Sequence, residues 1–255
     1  MTTYKKFCDL HHQQTPLILG NVWDVNGAKT FEAQGFDAVG TSSAAIAHML
    51  GYHDGEEMSF SELEYIVKRI IANISIPLSV DIEGGYGRKA SEIADNIKQL
   101  SDLGVVGINI EDSLVNKDRK LRPIDDFSGS ISEIKSYNEK YNINIFVNVR
   151  TDPFLLGIAN PLEESLKRIS AFEQAGADGI FIPGVTNQDE IKAVISASNL
   201  PVNVMCMPEL PSFQILSDLG VKRISMGNFI HNSLMNDLEI KISKVKAEQS
   251  FDCLF

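Results

Sequence analysis

Cysteine is scarce: Cys8, Cys206 and Cys253 stand far apart in 255 residues. They form no C-x-x-C pair and no disulfide framework, which points to a reducing compartment and away from a stapled scaffold. Long apolar runs are missing too. The opening MTTYKKFCDLHHQQTP lacks the apolar centre of a signal peptide, and no stretch approaches the roughly 20 residues of a membrane span. Cations are in deficit, with 23 Lys plus Arg against 34 Asp plus Glu and a formal net charge of -11. Nucleic-acid binding rests on clustered cations, so this balance excludes nucleic acid and an anionic membrane surface as partners. A small anionic substrate stays open, because one local cation can outweigh the global field. The expectation is a cytoplasmic protein with a small-molecule partner.

Familiar catalytic devices are absent as well. No nucleophile elbow, no G-x-G-x-x-G after the first strand and no strand-end lysine for a Schiff base is found. None of the five histidines pairs with another at metal-ligand spacing, and His11 and His12 are expected at the surface.

What is present is alternation. Short β-branched runs (Leu17–Gly20, Ala38–Thr41, Leu78–Ile82, Gly107–Ile110, Ile145–Val149, Gly179–Ile182, Val202–Cys206, Arg223–Met226) are separated by amphipathic segments such as FSELEYIVKRIIANI and PLEESLKRISAFEQAG. Apolar residues there recur at helical spacing, as in Ile66, Ile70 and Ile74. A phrase repeats: a helix ending in glycine, then a buried strand, as in AQGFDAVGTSS, DLGVVGINIEDS, QAGADGIFIPG and DLGVKRISMGN. Its glycines, Gly35, Gly104, Gly176 and Gly220, stand where a helix end wants a left-handed residue. Eight such units predict a single α/β domain over 1–255, a (β/α)8 TIM-type barrel, with a doubly wound open sheet as the alternative.

Barrel chemistry sits where strands end. Trp23 and Asp24 follow the first strand, and Ser42, Ser43 and Ala44 the second. Asp81 and Glu83 close the third in SVDIEGGYGR, Glu111 and Asp112 the fourth, and Asn148, Arg150 and Asp152 the fifth. Acids converging in one mouth repel unless a cation holds them, and hard oxygens suit Mg2+ or Mn2+. Asp81, Glu83 and Glu111 are therefore candidate metal ligands, with Asp54 able to reach the site from the loop GYHDGEE. The bland alternative is acids that meet solvent or cap helices, which is the reading for Asp112 and Asp152. Arg150 offers a bidentate grip on a carboxylate or else an internal ion pair. GTSSAA, where small hydroxyls meet a helix start, can bind an anionic oxygen.

Taken in order, TSSAAI, Asp54 in GYHDGE, VDIEGGYG, GINIEDS and NVRTD resemble the isocitrate lyase/phosphoenolpyruvate mutase superfamily over roughly residues 15 to 230. The resemblance implies a Mg2+-dependent barrel (Mn2+ being the alternative ion) that cleaves or forms C–C or P–C bonds in small 2-oxo acids through an enolate-type species. By position, Asp81 is the acid nearest the metal, joined by Asp54, Glu83 and Glu111. Arg150, Ser42, Ser43, Ala44, Trp23 and Asn148 are the expected substrate-binding residues. Arg150, Asp54, Asn116 and Lys117 are the expected catalytic ones. The Lys-Lys-Cys-Gly-His loop of the lyases is replaced by SLVNKDRKLRPIDD, without Cys or His. Relatives also imply a homo-oligomer, a dimer or dimer of dimers, with helix 229–248 exchanged between subunits. Two other classes stay open: an inactive barrel that binds metal and oxo acid, and a phosphate-binding barrel resting on the turn SMGN.

Overall fold

The computed structural model describes residues 2–115 and 119–255. Eight parallel strands close on themselves: β1 (Leu17–Val22), β2 (Val39–Thr41), β3 (Leu78–Asp81), β4 (Gly107–Glu111), β7 (Phe146–Arg150), β8 (Gly179–Ile182), β9 (Val202–Met205) and β10 (Arg223–Ser225). Closure is direct, since β1 pairs with β10 at Leu17↔Arg223 and with β2 at Val22↔Thr41. This is the (β/α)8 barrel, and the open sheet is excluded. The four glycines of the repeated phrase all adopt φ between 80° and 102°, which turns each helix sharply into the next strand.

The helices pack outside the barrel. In Phe60–Ile71, Ser59 and Glu62 form a reciprocal capping box, while Leu63, Val67 and Ile70 face the core. Ile66 and Ile74 pack partly buried against the same core, so the helical periodicity in the sequence marked the right face.

Two elements were not anticipated. An antiparallel hairpin, β5 (Ser113–Val115) with β6 (Arg119–Leu121), rises from the end of β4. The segment holding Asn116 and Lys117 lies outside the described residues. The helix Thr3–Leu10 plugs the opposite end, burying Phe7 and Leu10 against Leu17, Leu19, Val106 and Phe146. His11 follows it inward: it is 1% exposed, with Nδ1 2.8 Å from the Phe7 carbonyl and its ring stacked on Phe146. The expectation of a surface residue is thus corrected for His11 and holds for His12. A run of two histidines after a charged segment hides that the chain turns into the barrel floor there.

The plug constrains Gly107, where a Cβ would lie 2.5 Å from the Phe7 ring. Gly107→Ala should cost about 1–3 kcal/mol, as overpacking of cores does. A urea unfolding midpoint unchanged from wild type would show that the plug yields instead.

Inside the barrel, between plug and mouth, runs a polar layer. Asn148 Nδ2 donates to Asn109 Oδ1 at 2.9 Å and to Asn203 Oδ1 at 3.2 Å, and Arg223 Nη2 donates to Asn109 Oδ1 at 3.1 Å. Arg223 is fully buried; burial lowers its pKa to about 9, and the charge of Asp81 opposes the fall.

Candidate active site

At the C-terminal ends of the strands a cavity of about 160 Å³ opens, lined among others by Asn21, Asp54, Asp81, Asn109, Arg150 and Phe181. Wider hollows lie on the helical exterior, such as one of about 390 Å³ beside Tyr4 and Lys135, but the acids and arginines gather at the mouth.

Asp81 ends β3 and faces this cavity. Its backbone N–H donates to Thr41 Oγ1 at 2.8 Å, and Ser43 Oγ donates to its Oδ2 at 2.9 Å. Ser42 caps the helix Ser43–Leu50 by accepting from Ala45 N–H at 3.3 Å, which aims the first N–H groups of that helix, with Ser43 and Ala44, into the cavity wall. Asp54 comes from the loop after that helix, its side chain 42% exposed.

Glu83 behaves differently from its neighbours. It is 2% exposed and adopts φ 49°, and both its oxygens are already engaged. Oε2 accepts from Glu56 N–H at 2.8 Å and Oε1 from the Tyr86 hydroxyl at 2.9 Å. Glu56 in turn accepts from Tyr86 N–H at 2.7 Å. Burial, then the charges of Asp54 and Asp81, push the Glu83 carboxyl up to about 8. Its place is that of a strut under the Asp54 loop, one layer back from the expected ligands.

Glu111, 2% exposed at the end of β4, carries a cation on each oxygen: Arg119 Nη1 on Oε1, and Arg150 Nη1 at 2.8 Å from Oε2. Burial raises its pKa, and Arg150 and Arg119 oppose the rise. Arg150 also holds Asp152 in a fork, Nε–Oδ1 at 2.6 Å and Nη2–Oδ2 at 3.1 Å. The internal ion pair expected of Arg150 is present, and the residue also lines the cavity. The fork to Asp152 uses Nε and Nη2, and Nη1 stands beside Glu111. Burial works against its charge, but Glu111 and Asp152 outweigh it and lift the pKa above the ordinary value.

Asp112 and Asp152 are not solvated caps; both are fully buried. Asp112 accepts from Thr151 Oγ1 and from Arg168 Nη1 at 2.9 Å, while Asp152 accepts from Ser113 Oγ at 2.7 Å. Burial moves Asp112 up to about 6, against the pull of Thr151 and Arg168. A distant arginine supplies what the sequence did not show for Asp112, because Arg168 lies on the helix Pro161–Gln174, 56 residues on.

Two expected substrate residues fall outside the cavity. Trp23 is 8% exposed in the hydrophobic core, edge-on to His231. Asn148 sits in the polar layer below, and Asn109, itself buried, lines the cavity in its stead. The SMGN turn is also occupied: Asn21 Oδ1 accepts from Met226 N–H at 2.7 Å and Gly227 N–H at 3.1 Å. Those are the groups a phosphate would need, so the phosphate-barrel reading loses its footing.

Comparison with known proteins agrees with the barrel fold. The family model described as phosphoenolpyruvate phosphomutase matches residues 7–246. An uncharacterised protein of Mycobacterium tuberculosis (strain H37Rv) is 34% identical over 222 residues, covering 87% of this chain and 81% of that one. An oxaloacetate decarboxylase of Bradyrhizobium sp. (strain BTAi1) is 28% identical over 211 residues, 79% of this chain and 68% of its own. A crystal structure from Burkholderia cenocepacia J2315, assigned as a phosphonomutase, superposes with a TM-score of 0.88 at 33% identity, over 94% of this chain and 99% of that one.

Proposed function

The chain belongs to the phosphoenolpyruvate phosphomutase family, and from that premise we propose that it is a divalent-cation-dependent enzyme cleaving a carbon–carbon bond in a small 2-oxo acid of the oxaloacetate class. One observation carries the reading: a cavity of about 160 Å³ with Arg150 on one wall and Asp54 and Asp81 on another. Room on that scale holds a short acid and little else. The likeness to oxaloacetate decarboxylases supports the substrate class.

The donor set suits Mg2+ or Mn2+. Asp81 and Asp54 offer hard oxygens to the cavity, and Glu111 stands beside them. Among the described residues no three His, Cys, Asp or Glu side chains converge on one point, and Mg2+ characteristically keeps several of its waters beside its carboxylates. Asp81 would hold it, with Asp54 and Glu111 reaching it directly or through water; the cation, when bound, supplies Lewis-acid polarisation of the 2-oxo group.

The chain's own groups do the rest. The spare N–H groups of Arg150 grip the substrate carboxylate, and the start of the helix Ser43–Leu50 favours negative charge on a neighbouring oxygen. When the C3–C4 bond of oxaloacetate breaks, CO2 leaves and the electron pair moves onto C3 and the 2-oxo oxygen as an enolate. Water then protonates C3. Such a cleavage needs no base to begin, which suits a chain whose post-β4 loop holds neither Cys nor His.

Pyruvate release from oxaloacetate, corrected for the protein-free rate, should require Mg2+ or Mn2+ and disappear with EDTA or in Asp81→Ala. Phosphonopyruvate in the same assay tests the P–C alternative. Turnover indifferent to EDTA would sink the reading, and Mg2+-dependent oxalate binding without turnover of any 2-oxo acid would replace it with a binding-only barrel.

A further inference from the structure

Arg119 stands on β6, beyond the residues by which the family was recognised. Its Nη2 lies 2.9 Å from Asp54 Oδ2, its Nη1 meets Glu111 Oε1, and the same nitrogen is 3.5 Å from Asp152 Oδ2. It thereby joins two acids that are 57 positions apart in the chain (111 − 54). Ser113 Oγ lies 3.0 Å from the same Glu111 Oε1, its one hydrogen shared with the closer Asp152 Oδ2, and Arg150 Nη1 stands 2.8 Å from Oε2. Glu111 has a guanidinium nitrogen at each oxygen.

A divalent ion drawn to Asp81, Asp54 and Glu111 therefore meets a cation already seated on two of the three. Both cannot use the same lone pairs, and two positive centres at that distance repel. One arginine must move. Arg150 is anchored by the Asp152 fork and its side chain is 13% exposed, whereas Arg119 reaches in from a hairpin at the rim. Its contact with Asp54, 42% exposed, opens to water and is the easier to break.

We propose that Arg119 is an internal counter-cation, which a divalent ion must displace from Glu111 and Asp54 in order to bind. It rests on the metal-dependent reading above. Without metal, Arg119 relieves the repulsion among the mouth acids. With metal, the freed guanidinium is a second anion-binding group beside Arg150, placed for a substrate with a second carboxylate. The chain's affinity for metal is thus set by competition with its own side chain.

The test is a Mn2+ titration of the intact chain, following free Mn2+ by electron paramagnetic resonance. Arg119→Gln should bind Mn2+ about tenfold more tightly than wild type, the scale of one charge-assisted contact no longer competing, while its metal-free form melts lower. Arg119→Lys should fall between. In wild-type protein, added Mn2+ should speed modification of Arg119 by phenylglyoxal, read by mass spectrometry, which needs no variant to fold. Equal or weaker Mn2+ binding by Arg119→Gln, or no change in Arg119 reactivity, overturns the competition and leaves the metal-dependent function standing. Absence of Mn2+ binding in wild type and variant alike overturns both.

Discussion

Replacing Arg150 with Met should lower kcat/KM for the 2-oxo acid by about 10²–10³-fold, the range seen when a single charge-stabilising donor is removed. The same change should destabilise the fold by about 3–5 kcal/mol, because it strands buried partners of a salt bridge. The two effects share a cause. Glu111 and Asp152 are 2% and 0% exposed and both rely on this guanidinium. For a chain of this size the melting temperature should fall by roughly 10 °C. Arg150→Lys separates the roles: a compact ammonium restores part of the charge balance but cannot reproduce the fork. Lys should recover much of the stability and little of the activity. A well-folded Met variant with near wild-type turnover would remove Arg150 from the site.

Acid should unfold the protein in part through His11. Burial, reinforced by the nearby charge of Arg223, depresses its pKa to about 3 against about 6.5 in an unfolded chain. The folded state therefore holds the neutral ring, and unfolding takes up a proton at any pH between the two values. Its stabilising contribution is whole above pH 6.5 and is lost as the pH falls through that window toward 3. The slope approaches 1.4 kcal/mol per pH unit, for a total of up to about 4–5 kcal/mol. His11→Phe keeps an aromatic ring against Phe146 and removes the titration. Urea unfolding free energies of wild type and variant, compared from pH 7 to pH 4, should converge as the pH drops. Parallel curves would mean that His11 is protonated in the folded state, or that carboxylates alone carry the acid response.

The barrel was legible because its signals are local. Each strand is a short, largely apolar run, four of them preceded by a helix-ending glycine, and the observed edges differ from the sequence reading by a residue or two, as with β1 continuing to Val22. The rim acids were legible because residues i and i+2 of a strand share a face. That rule failed at Glu83, which lies past the end of β3 in a left-handed turn and has both oxygens engaged. It failed at Asn148 too, since strand position alone does not tell which layer of the barrel a residue fills. The hairpin escaped notice because Arg119–Leu121 carries no alternation. The plug helix escaped because its apolar residues, Phe7 and Leu10, only make sense against an open barrel end.

The polar layer beneath the cavity fixes more than position. Arginine only donates, so Asn109 must turn its carbonyl oxygen down toward Arg223 and Asn148. Its amide hydrogens are left for the space above. A molecule settling onto Asn109 meets an amide whose oxygen is already engaged. At Asn109 the floor therefore suits an oxygen that can accept and disfavours an ammonium, which can only donate.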